Sequence, residues 1–259
     1  MKILYFYCGE GLGHATRTIS AGSELVKKHD VVFASYGYAR EFLQNNGFEV
    51  KEVPSEIRMA GSSGAFDISQ SILKTIKETN PSSVLKFNKL IKETKPDLVI
   101  SDSFFLPSLI AVTKGLPCWM ILNQTNIDKF FVDRETHIRW VGNAVKKFNY
   151  AVLEKMDKIL IPDFAPPFTI CEKNLDLTPK IFEKTEYIGP LIRKNSNEVS
   201  KQKEKIHVYC SIGGFGYREQ ILDKIVDVAK NMKNKQFHLV AGPNAKKTCK
   251  LKNVKWKFV

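Results

Sequence analysis

The chain has 259 residues, 43% of them hydrophobic, enough for real cores, and a formal net charge of +13. No stretch reaches the roughly 18 consecutive apolar residues of a membrane-spanning helix, and five scattered cysteines without CxxC spacing argue against a zinc site and for a reduced, cytoplasmic setting. The charge is uneven: residues 1–192 carry 24 basic against 22 acidic side chains, and residues 193–259 carry 16 against 5.

The opening Met1-Lys2-Ile3-Leu4-Tyr5-Phe6-Tyr7 turns polar too soon for a signal peptide and reads as a buried strand over 2–7. A helix is predicted over 14–28, a strand over 31–34, a helix near 37–46 ended by Gly47, and a strand over 48–53. A glycine-bearing loop with Gly61 and Gly64 precedes a helical region from Ile68 to Thr94, which Pro81 divides. Then come a strand at 96–101, a helix at 106–115 and a strand at 118–122. A long helix is expected from Arg134 to Met156, with Ile138, Val141, Val145, Phe148, Val152 and Met156 spaced as its inward face. A strand at 158–161 leads through a Pro- and Phe-rich loop to Tyr187-Ile188-Gly189-Pro190.

Such alternation predicts an α/β fold, a doubly wound parallel sheet with helices on both faces. The domain is drawn over 1–190, with a hinge and polar linker over 191–205. Residues 206–259 open a second α/β domain: a strand, a glycine turn at Ser211-Ile212-Gly213-Gly214-Phe215-Gly216, a helix over 217–232 and a strand over 237–241. About 65 residues fall short of a self-sufficient domain. The run Val254 to Val259 reads as a strand cut short, so the expectation is a piece of a longer protein continuing for roughly 80–120 residues.

Gly9-x-Gly11-x-Gly13-His14 stands between a strand and a helix, where glycines permit a tight turn and free N–H groups attract anions. It is not a dinucleotide fingerprint. The third glycine of GxGxxG would fall at 14, and Ser35-Tyr36-Gly37-Tyr38 offers no acid for a ribose hydroxyl. A histidine at a helix N-terminus is disfavoured as imidazolium, which suits a proton acceptor. Asp102 follows the fourth strand, at the same carboxyl edge. Two readings stand for it: a partner that orients His14, or a cap for the helix that follows.

Residues 9–17, Gly-Glu-Gly-Leu-Gly-His-Ala-Thr-Arg, resemble the N-terminal motif of MurG-type and UDP-glycosyltransferase-like enzymes of the GT-B fold, nearest to an archaeal and bacterial branch of glycosyltransferases. Pro96 to Asp102, followed by Gly115-Leu116-Pro117, and the hinge-like Tyr187 to Pro190 extend the resemblance along nearly the whole chain. Asn123-Gln124-Thr125-Asn126 stands where MurG-type proteins carry an HEQN-like motif, with Asn123 for the His and Gln124 for the Glu. The resemblance implies a GT-B-like pair of Rossmann-type domains and inverting, metal-independent sugar transfer. His14 is then the base and Asp102 its partner, with Gly11, Gly13, Thr16, Asn123 and Gln124 toward the acceptor. Ser211, Gly213, Gly214 and Gly216 would meet the diphosphate of the donor, a nucleotide-diphosphate sugar and by analogy a UDP-sugar, and no cofactor or metal is called for.

The acceptor is left open, and a lipid-linked one would bring peripheral membrane contact at the cytoplasmic face. The helix at 134–156, with His137, Arg139, Trp140, Lys146 and Lys147, suits either an interfacial helix or a core helix with a basic outer face. Two further readings remain: the non-enzymatic half of a split transferase, and a GT-B-fold nucleotide-sugar epimerase. Nucleic-acid binding would rest on charge alone, and none is expected.

Overall fold

The computed structural model describes residues 1–62, 64–78, 82–193, 206–213, 218–242 and 248–258. The elements are, in order, β1 (Lys2–Tyr7), α1 (Leu12–Leu25), β2 (Asp30–Ser35), α2 (Gly37–Gln44), β3 (Val50–Glu52), β4 (Gly61–Ser62), β5 (Ala65–Phe66), α3 (Ile68–Glu78), α4 (Ser82–Thr94), β6 (Leu98–Asp102), α5 (Phe105–Thr113), β7 (Cys118–Ile121), α6 (Thr136–Leu153), β8 (Lys158–Ile161), α7 (Pro179–Phe182) and β9 (Thr185–Tyr187). The chain then adds β10 (His207–Ser211), α8 (Glu219–Asn231), β11 (Gln236–Ala241) and β12 (Val254–Phe258). Two compact units form: Met1–Arg58 with Thr75–Lys194, and Met59–Lys74 with Asn195–Val259. Of the expected hinge and linker over 191–205, residues 194–205 lie outside the described residues, as does the dividing Pro81.

The first unit is built on a seven-stranded sheet in the order β3-β2-β1-β6-β7-β8-β9, parallel throughout. β1 lies inside it, between β2 and β6, and is apolar on both faces: Ile3 to Tyr7 are all buried. Leu4 and Phe6 join one core with Phe87, Phe104 and Met120, and Ile3, Tyr5 and Tyr7 join the other with Ile19, Phe33 and Leu43. This is how a strand covered by helices on both sides reads in sequence. From β1 the chain winds outward to β2 and β3, then returns to place β6 on the other side of β1. The carboxyl ends of β1 and β6 therefore frame the point where strand order reverses, the usual crevice for ligands in such sheets.

In the second unit β10, β11 and β12 form a parallel sheet. Leu222 and Ala229 of α8 pack with Ile212, Phe237, Leu239, Ala241 and Val254 in its core. The loop expected around Gly61 and Gly64 is a small antiparallel hairpin, β4 with β5.

One expected face is corrected. The stripe predicted for α6 includes Val141 and Phe148, and both are exposed; the helix buries Gly142, Asn149, Val152 and Leu153. Gly142 is the reason. A Cβ there would stand 2.5 Å from the Phe131 ring, so α6 turns its smallest residue, not its branched ones, toward that aromatic.

Candidate functional site

Of the three glycines in the loop between β1 and α1, the fold requires two, each for its own reason. A Cβ on Gly9 would come within 2.3 Å of the Tyr36 carbonyl oxygen, so only glycine lets the loop pass the end of β2. Gly11 caps α1 at φ 80°, in the left-handed region. Gly13 meets neither demand: a Cβ there touches nothing within 4 Å, and its φ is not positive. The helix begins at Leu12, two residues before the predicted start, and His14 falls in its first turn.

Register decides what His14 meets. Tyr7 pairs with Asp102 across β1 and β6, and the Cys8 N–H donates to the Asp102 carbonyl (3.1 Å). Immediately afterwards the chain bends at Ser103, a non-glycine residue with φ 52°, leaving Asp102 as the last residue of β6. Its carboxylate is fully buried, and Oδ1 lies 2.8 Å from Nδ1 of His14. Arg17, one turn further along α1, donates from Nε to Oδ2 (3.0 Å) and from Nη2 to Oδ1 (2.5 Å). Nη2 also stands 2.9 Å from Nδ1 of His14. Burial alone would raise the Asp102 carboxyl; Arg17 first, then His14, hold it below the usual carboxylate range. Burial likewise opposes the Arg17 charge, and Asp102 more than offsets it.

The alternative role for Asp102, capping α5, is not what the structure has. The first amides of α5, on Phe105 and Leu106, donate to the Glu56 carboxylate (2.7 and 3.0 Å). Burial pushes Glu56 up to about 8, although those two donors favour its charged form. Glu56 lies on the loop after β3, close to an ionic cluster in which Arg58 lies over the Tyr36 ring and pairs with Glu10 (3.6 Å) and Glu78 (2.6 Å). A cleft of about 430 Å³ opens here, lined among others by Tyr36, Ser55, Arg58, Glu78 and Lys86.

The remaining predicted positions divide. Thr16 donates back to the Gly13 carbonyl (2.9 Å). Asn123 is exposed and Gln124 half-buried just beyond β7, at the same sheet edge as His14. Their neighbours are structural: Thr125 Oγ1 accepts from the Asp176 N–H (2.7 Å), and Asn126 Nδ2 donates to the Lys173 carbonyl (2.6 Å). In the second unit Gly213 has φ 69° and its N–H donates to Ser211 Oγ (3.3 Å), while Gly214 and Gly216 lie outside the described residues. Among the described residues no three His, Cys, Asp or Glu side chains group as a metal site would need, and no helix is long and apolar enough to cross a membrane.

Arg17 and Glu56 are the residues that sequence reading left without a role. Arg17 was discoverable, because residues three apart on a helix share a face and His14 already points at β6. Glu56 carries no such signal, since its loop meets α5 only through the fold.

Residues 1–229 match the family described as glycosyl transferase family 1. An uncharacterized glycosyltransferase of Methanosarcina mazei is 43% identical over 246 residues, and one of Methanosarcina acetivorans 42%. The match covers 94% of this chain and 65% of either relative, so the chain spans about two thirds of their length. Among solved structures, CalG4, the calicheamicin glycosyltransferase, superposes with a TM-score of 0.60 at 16% identity, covering 99% of this chain and 70% of that one. Phytolacca americana UGT2, solved with UDP-2fluoro-glucose and pterostilbene, gives 0.59 at 11% identity, covering 100% and 71%. These likenesses establish the GT-B type of fold, and the family match over most of its length places this chain in glycosyl transferase family 1.

Proposed function

We propose that the protein transfers a hexosyl group, with inversion and without a metal, from a nucleotide-diphosphate sugar to an acceptor hydroxyl. Within the family we read it as a MurG-type, UDP-glycosyltransferase-like enzyme using a UDP-sugar, on the motif at residues 9–17. The observation that carries the reading is the His14–Asp102 contact of 2.8 Å at the strand-order reversal. His14 takes the proton from the acceptor hydroxyl as the oxygen attacks the sugar C1, and Asp102 orients the ring and meets its charge. The bond from C1 to the diphosphate breaks, and the nucleoside diphosphate leaves with its electron pair. Ser211, Gly213, Gly214 and Gly216 are assigned to the diphosphate. Gly11, Gly13, Thr16, Asn123 and Gln124 are assigned to the acceptor side.

The test is transfer of labelled sugar from a panel of nucleotide sugars, comparing the unaltered protein with His14→Ala and Asp102→Asn. Loss of a base of this kind costs roughly 10²- to 10⁴-fold in rate. Near-unaltered turnover in His14→Ala would remove the base assignment.

A lipid-linked acceptor at the cytoplasmic face is the accompanying proposal, supported by the surface of α6. Trp140 is 72% exposed and shares a concavity with Phe131, Val132 and Arg139, with Asp128 also on its wall. An exposed aromatic beside apolar side chains and a cation suits a bilayer interface. Co-sedimentation with vesicles of mixed neutral and anionic lipid tests it: binding should fall in Trp140→Ala, and no binding by the unaltered protein would end the proposal.

A further inference from the structure

Three heavy atoms at the site make a small triangle. Nδ1 of His14, Oδ1 of Asp102 and Nη2 of Arg17 lie 2.8, 2.5 and 2.9 Å apart in turn. Seen from Nη2, the two neighbours are therefore roughly 60° apart, whereas the two hydrogens of a guanidinium nitrogen diverge by about 120°. Nη2 cannot point straight at both. A hydrogen aimed at Oδ1 leaves the other roughly 60° off the line to Nδ1, far from the straight geometry a strong bond prefers.

This bears on the ring's tautomer. An imidazole with a bare Nδ1 would need Nη2 as its donor and would carry its proton on Nε2. An imidazole with a proton on Nδ1 donates to Oδ1 and keeps the Nε2 lone pair free. The carboxylate is the stronger claimant for each of its neighbours, because both contacts to Oδ1 are then charge-assisted. Nε of Arg17 meanwhile fixes Oδ2 at 3.0 Å, so the carboxylate is gripped at both oxygens and cannot turn Oδ1 away.

Resting on the transfer reading above, we infer that Arg17 is a positioning residue for His14: by clamping both oxygens of Asp102 it keeps the ring in the Nδ1–H tautomer and leaves Nε2 able to accept the acceptor's proton. Lysine would not substitute. A single ammonium supplies the charge but not the planar two-point grip.

The experiment is nitrogen-15 spectroscopy of ring-labelled histidine in the whole protein, with the His14 signals assigned by their loss in His14→Gln. The unaltered protein should show a protonated Nδ1 and an unprotonated Nε2, and Arg17→Lys should lose that dominance while the rest of the spectrum stays dispersed. Transfer by Arg17→Lys should fall about 10- to 100-fold, the size of effect that loss of an orienting partner produces, in kcat with KM little changed. If Arg17→Lys does not fold, the unaltered protein decides: an exchange-protected Arg17 Nε–H together with the Nδ1–H tautomer supports the inference, and absence of either overturns it. A folded Arg17→Lys with an unchanged ring also overturns it. A ring that responds as expected in a protein that transfers no sugar upholds the positioning role and removes the proposed reaction instead.

Discussion

β1 and β10 each open a parallel sheet and each run into a glycine turn before a helix, yet β1 is covered on both faces and β10 on one. Along β1 five consecutive side chains are buried; along β10 exposed and half-buried residues alternate, with Tyr209 70% exposed. The two turns differ in kind accordingly. After β1, a dry sheet edge holds an ionic triad whose anion has no contact with solvent. After β10, the described residues offer backbone and a hydroxyl: the N–H of Gly213 and Oγ of Ser211. The same backbone device thus stands beside two different sets of groups. Side-chain charges need exclusion of water to act strongly on one another, whereas amide donors at a helix start need only the right turn.

The largest effect should come from breaking the dry side. Asp102→Ala leaves the Arg17 guanidinium buried without its counter-ion, and removing one partner of a buried pair costs about 3–5 kcal/mol. Denaturant unfolding followed by hydrogen exchange should show that loss in β1, β2 and β6, with amides of β10 to β12 unchanged. A loss under about 1 kcal/mol would mean the triad is no better insulated than a surface pair. In the unaltered protein, amides of β1 should exchange at least about tenfold more slowly than those of β10, because fewer buried contacts mean cheaper local opening. Equal rates would end the contrast between the sheets.

These differences also mark how far the sequence was legible. β1 announced its two-sided burial through an unbroken apolar run, and β6 announced its edge through Asp102. The parallel sheet follows from those two segments and the alternation between them, and the meeting of His14 with Asp102 is one of the two readings they allow. The turn of α6 did not follow, because helical spacing scores Val141 and Phe148 as inward and is silent about a glycine. Only the contact with Phe131, eleven residues before Gly142 and on another element, decides it. Glu56 was invisible for a similar reason: its partners are the amides of Phe105 and Leu106, about fifty positions away. Side-chain roles set by local spacing could be read; those set by distant backbone could not.

Glu56 sharpens the comparison through pH. Its folded pKa, about 8, lies above the ordinary 4.5, so between those values the unfolded chain binds fewer protons than the folded one. Stability from this group is fully present below about pH 4.5 and declines as pH rises toward 8. Asp102 has the opposite sign, its folded pKa being depressed, so its contribution is present above the ordinary carboxylate value and fails as pH falls through the folded one. Glu56→Gln should therefore flatten the decline between about pH 4.5 and 8 and leave unfolding below that window unchanged, as measured by urea midpoints across pH 4 to 9. An unaltered slope in that window would show that the carboxyl is charged throughout and simply caps α5.

The smallest effect falls on Gly13, which separates what the fold requires from what a ligand would require. Gly9 is fixed by its contact with Tyr36 and Gly11 by its positive φ, but nothing in the fold asks for glycine at 13. Inside the first turn of α1 it should cost about 1 kcal/mol against alanine. Gly13→Ala should then raise stability by up to that amount in thermal unfolding. If the open space above residue 13 receives the acceptor, the same methyl should raise its KM severalfold while the His14 ring signals stay as they are. Greater stability with unaltered KM would move the acceptor away from this loop, toward the cleft beside Tyr36 and Arg58.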